Sequence, residues 1–114
     1  MKKWMAMFAV LAWGATTALA GDWHVVADIT ATDQSEAREI AVNRSIRTVR
    51  FECKTGAVIV MTMWVREGEA KTEYRVARQL AAGEKFDVDL GQVRNATGFR
   101  ISDKGPGRYK IGVR

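Results

Sequence analysis

The chain has 114 residues, 47% of them hydrophobic, with 18 lysines and arginines against 13 acidic residues and a single cysteine. That length supports one small domain with one core. A lone cysteine excludes an intrachain disulfide, and so modest a positive charge is not the footprint of a dedicated nucleic-acid binder.

The N-terminus reads as a secretory leader. Met1-Lys2-Lys3 is a short basic start, residues 4–13 are apolar, and residues 14–20 are small, ending Ala18-Leu19-Ala20. That layout is a signal peptide with an A-x-A cleavage site, and the apolar run is shorter than the roughly 20 residues a membrane helix needs. The expected product is a mature domain of residues 21–114, periplasmic or secreted, from a bacterial Sec-type leader. Lys2 and Lys3 leave with the leader, so 16 basic residues remain against 13 acidic ones, a charge of +3. No later segment is long and apolar enough to predict an integral membrane span.

In the mature chain, residues 23–30 (WHVVADIT) predict a first strand. Residues 31–38 form a polar connection with room for one helical turn. Residues 39–42 predict a short strand, and Asn43-Arg44-Ser45 a turn. Residues 46–66 predict a long hairpin about Lys54-Thr55-Gly56, glycine supplying the left-handed residue at the end of a three-residue loop. In that register Cys53 faces Ala57, Phe51 pairs with Ile59 and Val49 with Met61. Val58, Val60 and Trp64 then form a second apolar face, which implies a central strand covered on both sides.

Turns are predicted at residues 67–70 and 81–84, flanking an alternating run with Tyr74, Val76 and Leu80 inward. Residues 85–90 alternate most cleanly, with Phe86, Val88 and Leu90 inward and Lys85, Asp87 and Asp89 outward. Residues 91–97 predict a loop, and residues 98–103 a strand with Phe99 and Ile101 inward. A turn at Lys104-Gly105-Pro106-Gly107 leads to a last strand with Tyr109, Ile111 and Val113 inward. About eight short strands with polar turns and no long amphipathic helix predict an all-β domain. The expected architecture is a small antiparallel β-sandwich, with a closed eight-stranded barrel as the alternative.

Candidate chemistry is sparse. Cys53, Met61 and Met63 invite a copper reading, but the hairpin register places Cys53 and Met61 about 13 Å apart at ~3.4 Å per residue. His24 is the only histidine and has no nucleophile motif beside it. Asp87 and Asp89 share a strand face with too few oxygens for calcium. No catalytic residue, cofactor or metal is expected. The arginines are more suggestive. The mature chain has eleven against five lysines. Arg50, Arg75 and Arg100 fall at outward strand positions, with Arg94 and Arg108 near strand ends. Their planar forks suit carboxylate and phosphate, so these five are the candidate site for an anionic partner. The competing expectation is an ordinary surface paired with Glu39, Glu52, Glu73 and Asp87. Asn43-Arg44-Ser45 and Asn95-Ala96-Thr97 match the glycosylation sequon, taken as accidental beside a bacterial leader.

Two resemblances follow. Arg44 and Arg47 leading into Val49-Arg50-Phe51, a glycine turn, Trp64-Val65, Leu80-x-x-Gly83, Arg94-x-x-x-x-Phe99-Arg100-Ile101 and Tyr109-Lys110-Ile111-Gly112 form one pattern. It is similar to that of a family of small exported bacterial β-proteins of unknown function, which implies an all-β exported domain. Phe51-Glu52-Cys53-Lys54-Thr55-Gly56 resembles the strand and turn of periplasmic C-type lysozyme inhibitors, small β-barrels. That family's cysteine has a partner and its inhibitory loop a serine-glycine and a tyrosine, neither matched here. The expected function is a non-enzymatic binding or structural module of the cell envelope, with a protein or an anionic envelope component as partner. Inhibition of lysozyme or another hydrolase is the alternative.

Overall fold

A computed structural model describes residues 23–114; the expected leader lies outside the described residues. Five strands account for almost all of it, β1 (His24–Ala31), β2 (Glu36–Glu67), β3 (Ala70–Ala81), β4 (Lys85–Lys104) and β5 (Gly107–Val113). Among the described residues there is no helix, hence none long and apolar enough to cross a membrane.

All pairings are antiparallel. The fold is built on one long ribbon in which β2 runs beside β4, from Glu36 opposite Asp103 to Glu52 opposite Lys85. Strands add to opposite edges at its two ends. At one end β5 pairs with the middle of β2 and β1 pairs with β5, giving a first layer. At the other, the last part of β2 (residues 57–67) pairs with both β3 and the end of β4, giving a second layer. The hydrogen-bonded sheet does not close. The molecule is a small antiparallel β-sandwich, and the barrel alternative falls away.

The predicted strands are fewer and longer in the structure because turn-forming residues serve as bulges. Asn43 (φ 52°) sits where β2 gains a residue on β4, between Ala41 and Arg44. Gly91 (φ 84°) opens a wider excursion of β4, between the residues opposite Ile46 and Thr48. Asparagine and glycine tolerate these left-handed positions, so the chain bends without leaving the ladder. The polar connection after β1 holds no helical turn; β2 is already under way at Glu36.

The expected hairpin about Lys54-Thr55-Gly56 is corrected. Cys53 lies opposite Tyr109 and Ala57 opposite Ala81, while Phe51 is shared by Ile111 and Phe86. The chain does not turn back at Gly56; it passes from the first layer into the second. Beside it, β4 passes into β5 through the turn at Gly105-Pro106, whose peptide bond is cis. The two crossings touch through their backbones, Ala57 N–H donating to the Pro106 carbonyl at 3.1 Å.

The second apolar face is corrected too. Between Val60 and Thr62 the ladder slips on both sides, β2 gaining Met61 against β4 and β3 gaining a residue at Ala77 (φ 48°) against β2. The slip changes which alternate residues face inward. Val58 and Val60 point in before it, Met63 and Val65 after it, all at 0% exposure. Ile59 is exposed and Trp64 half-buried. The strand is apolar in both phases because it switches phase, not because both faces are covered.

The core between the layers contains Val49, Phe51 and Cys53 of β2, Phe99 and Ile101 of β4, and Tyr109, Ile111 and Val113 of β5, all at 0% exposure. The inward positions read from alternation in β4 and β5 are thus the observed ones. Burial raises the Cys53 thiol above its usual range, which withholds the reactive thiolate. We expect native protein to resist a thiol reagent and to label fully in denaturant. Rapid stoichiometric labelling of folded protein is the contrary result.

Candidate functional site

Two polar arrangements stand out, one buried and one on the surface. The buried one is at the end of β4. Asp103 has 0% exposure. Its Oδ2 accepts from Arg38 Nε at 2.7 Å and from the Tyr109 hydroxyl. Arg38 also donates to the Thr30 carbonyl at 3.3 Å. One carboxylate therefore joins β1, β2, β4 and β5 where the layers cross. Among the described residues, Asp103 Oδ1 has no hydrogen-bond partner. Burial and the Asp103 carboxylate raise the Tyr109 phenol well above its usual range, and the same carboxylate raises Arg38.

The sign of the Tyr109 shift gives a pH prediction. An unfolded tyrosine ionises near pH 10, while the folded one keeps its proton. The contribution is therefore complete below about pH 10 and is lost as pH rises beyond it, by up to ~1.4 kcal/mol per pH unit. We expect unfolding free energies between pH 9 and 11 to fall more steeply for the native sequence than for Tyr109→Phe. Parallel slopes are the contrary result.

The five candidate arginines do not converge. Arg94 is only 16% exposed in its side chain and is held internally, donating to the Tyr74 hydroxyl at 2.7 Å and to Glu67 at 3.0 Å. Arg50 and Arg108 lie on the outer face of the first layer. Each forms a two-pronged pair with a carboxylate, Arg50 with Asp87 (2.7 and 3.0 Å) and Arg108 with Asp28 (2.9 and 2.7 Å). These arginines hold Asp87 and Asp28 below the usual carboxylate range. The next row across that face runs Asp28, Lys110, Glu52, Lys85. Its signs alternate, so the face is largely self-neutralising. Trp23 lies over it, with the Arg50 and Arg114 guanidiniums 4.2 and 4.5 Å from the ring.

Arg75 and Arg100 lie on the outer face of the second layer. One row there runs Glu39, Arg100, Trp64, Glu73, and the next places Arg66 opposite Lys71. Directly paired residues share a face. Glu39 receives both Arg100 (2.7 Å) and Arg66 (3.2 Å), and these hold it below the usual carboxylate range. Lys71 stands 5.5 Å from the centre of the Trp64 ring. Among the described residues, neither Lys71 nor Arg75 has a carboxylate within 4.0 Å. Beyond the bulge, the rows from Thr62 to Arg66 on this face carry four cations, Arg66, Lys71, Arg75 and Arg100, against the carboxylates Glu39 and Glu73. Sequence reasoning missed Trp64, Arg66 and Lys71 as site residues. It had assigned Trp64 to a covered face, because the Met61 bulge leaves no local signal.

His24 is exposed at the start of β1, and Asp87 and Asp89 face outward as expected, Asp89 only 3.9 Å from Arg47. Among the described residues, no three histidine, cysteine, aspartate or glutamate side chains converge as metal ligands. No family model, curated protein or solved structure matches the chain.

Proposed function

We propose that the domain is a non-enzymatic module of the bacterial envelope, exported by its leader, which docks on an anionic lipid surface through the outer face of its second layer. The observation that carries this reading is the Arg66–Lys71 pair beside Trp64. Like charges directly opposite in a sheet are destabilising, and here Lys71 and Arg75 are not relieved by any carboxylate within 4.0 Å among the described residues. A sheet face suits an extended surface better than a small ligand. A half-buried tryptophan suits a boundary where one side is apolar and the other wet.

Each basic residue near an anionic bilayer contributes ~1 kcal/mol, screened by salt. The mature protein is expected to co-sediment with phosphatidylglycerol-containing vesicles at low salt and to be released at high salt. Replacing Lys71 and Arg75 by alanine is expected to remove ~2 kcal/mol, about thirtyfold in affinity. Absent or salt-independent binding contradicts the reading.

A further inference from the structure

The last part of β4 shows how far the outer face of the second layer extends. Its alternate residues Phe99, Ile101 and Asp103 are buried at 0% exposure, so Arg100, Ser102 and Lys104 point outward. Directly paired residues share a face. Ile59 (opposite Lys104), Thr62 (opposite Ser102) and Trp64 (opposite Arg100) therefore form one outward column of β2. In an unbroken strand, residues 59 and 64 would face opposite sides. Met61, the residue that β2 gains against β4, brings both to the outside.

β3 completes these rows, with Gln79 beside Ile59, Arg75 beside Thr62 and Glu73 beside Trp64. Ile59 is 37% exposed, and Met61 and Trp64 are half-buried. The Ile59 and Trp64 rows lie on the order of 14 Å apart at ~3.4 Å per residue along β4, so both can meet the same patch of bilayer. Cations border the column on both sides, Lys104 and Arg100 along β4, Arg75 and Lys71 along β3. Lys104, like Lys71 and Arg75, has no carboxylate within 4.0 Å among the described residues. Glu73 is exposed beside Trp64 and is the one acidic group directly in this column's rows on the β3 side.

An apolar column bordered by cations is poorly matched to a hydrophilic polyanion, which would leave Ile59 and Trp64 in water. It matches a boundary where phosphates border hydrocarbon, the layout by which amphipathic elements lie in a bilayer interface. We infer that, on the lipid-docking reading above, the partner is an amphiphile whose hydrocarbon the protein touches: Trp64 and Ile59 enter the acyl boundary of the bilayer, while Lys71, Arg75 and Lys104 hold its phosphates. Glu73 opposes the contact, so Glu73→Gln is expected to tighten vesicle binding about fivefold.

The test uses two readouts on the mature protein. Trp23→Phe leaves Trp64 as the only tryptophan of residues 21–114. With phosphatidylglycerol vesicles that also contain acyl-brominated phosphatidylcholine, its emission is expected to shift to the blue and to be quenched by the bromine. Independently, Ile59→Asn in the native sequence is expected to weaken vesicle binding about fivefold and to leave binding to dextran sulfate, a polyanion without hydrocarbon, unchanged. Ile59 is exposed, so this variant is expected to melt with the parent. Co-sedimentation with unshifted, unquenched Trp64 emission overturns insertion and leaves docking by charge standing. So does an Ile59→Asn variant that binds vesicles as the parent does, or that loses dextran sulfate and vesicles equally. Absence of co-sedimentation, or binding to dextran sulfate alone, overturns the lipid reading itself.

Discussion

Gly56→Ala is expected to lower the melting temperature by roughly 10–45 °C and Gly107→Ala by roughly 5–25 °C. The reason is the contact between the two chain crossings. A Cβ on Gly107 would stand 2.7 Å from the Ala57 carbonyl oxygen, 2.8 Å from that of Thr55 and 2.9 Å from the Ala57 nitrogen. All three are backbone atoms, which cannot swing aside as a side chain would. At Gly56 the Cβ would meet the Pro106 oxygen at 2.6 Å, and the residue also keeps φ at +66°. Overpacking costs ~1–3 kcal/mol and a left-handed non-glycine residue ~1–3 kcal/mol more. At about 4–8 °C per kcal/mol for a domain this small, the overpacking cost alone gives the range for Gly107 and the two costs together the range for Gly56. Gly68 and Gly83 supply the control. Both have positive φ, but a Cβ on either meets nothing within 4 Å. Their alanine variants should show the backbone cost alone, about 1 kcal/mol. Equal melting shifts for Gly68→Ala and Gly56→Ala would mean that the crossings do not touch as described.

Asp103→Ala is expected to cost ~3 kcal/mol, at the low end of what removing one partner of a buried ion pair does. Arg38 retains 23% of its side-chain exposure and can recover some hydration. Tyr109, at 0% exposure, cannot, so its hydroxyl is left without an acceptor. Asp103→Asn should recover only part of the loss. The amide keeps one oxygen for Tyr109 or Arg38, but places N–H donors in a pocket where Asp103 Oδ1 already has no partner among the described residues. Tyr109→Phe in the Asp103→Ala background should then cost less than Tyr109→Phe alone, because the shared hydrogen bond is already gone. Additive losses in chemical denaturation would show that the two side chains act separately. Against the ~5–15 kcal/mol that holds a typical domain together, one buried carboxylate is a large share.

Sequence patterns were most informative where they depended only on alternation. Phe86, Val88, Leu90, Phe99, Ile101, Tyr109, Ile111 and Val113 face inward because successive strand residues point to opposite sides whichever strand lies alongside. Pairing partners were a different matter. Lys54-Thr55-Gly56 has the composition of a hairpin loop, yet it is a crossing between layers, fixed by the Pro106 and Gly107 backbones some fifty residues later in the chain. Met61 shows the same limit, since a one-residue bulge reverses the phase of a strand without changing its composition. The buried carboxylate did have a signal. Phe99, Ile101 and Asp103 share one parity, so the alternation that places the first two inward also places Asp103 inward. Among the arginines, exposure was legible for Arg75, Arg100 and Arg108 but not for Arg94, and which of them are neutralised was not legible. Arg50–Asp87 and Arg108–Asp28 are pairs across strands, and the first-layer face they lie on alternates in sign.

The most direct measurement compares charge reversal on the two outer faces at equal net charge. One variant carries Lys71→Glu and Arg75→Glu on the second layer. The other carries Lys85→Glu and Lys110→Glu on the first layer, where those lysines flank Glu52 in the row. Both lose the same four units of charge, so general attraction to an anionic vesicle falls equally. Binding through the second layer predicts that the Lys71 and Arg75 variant no longer sediments with phosphatidylglycerol vesicles at low salt, while the Lys85 and Lys110 variant keeps most of its binding. Equal loss in both would mean that binding follows net charge, and would contradict a dedicated face built around Trp64, Lys71 and Arg75.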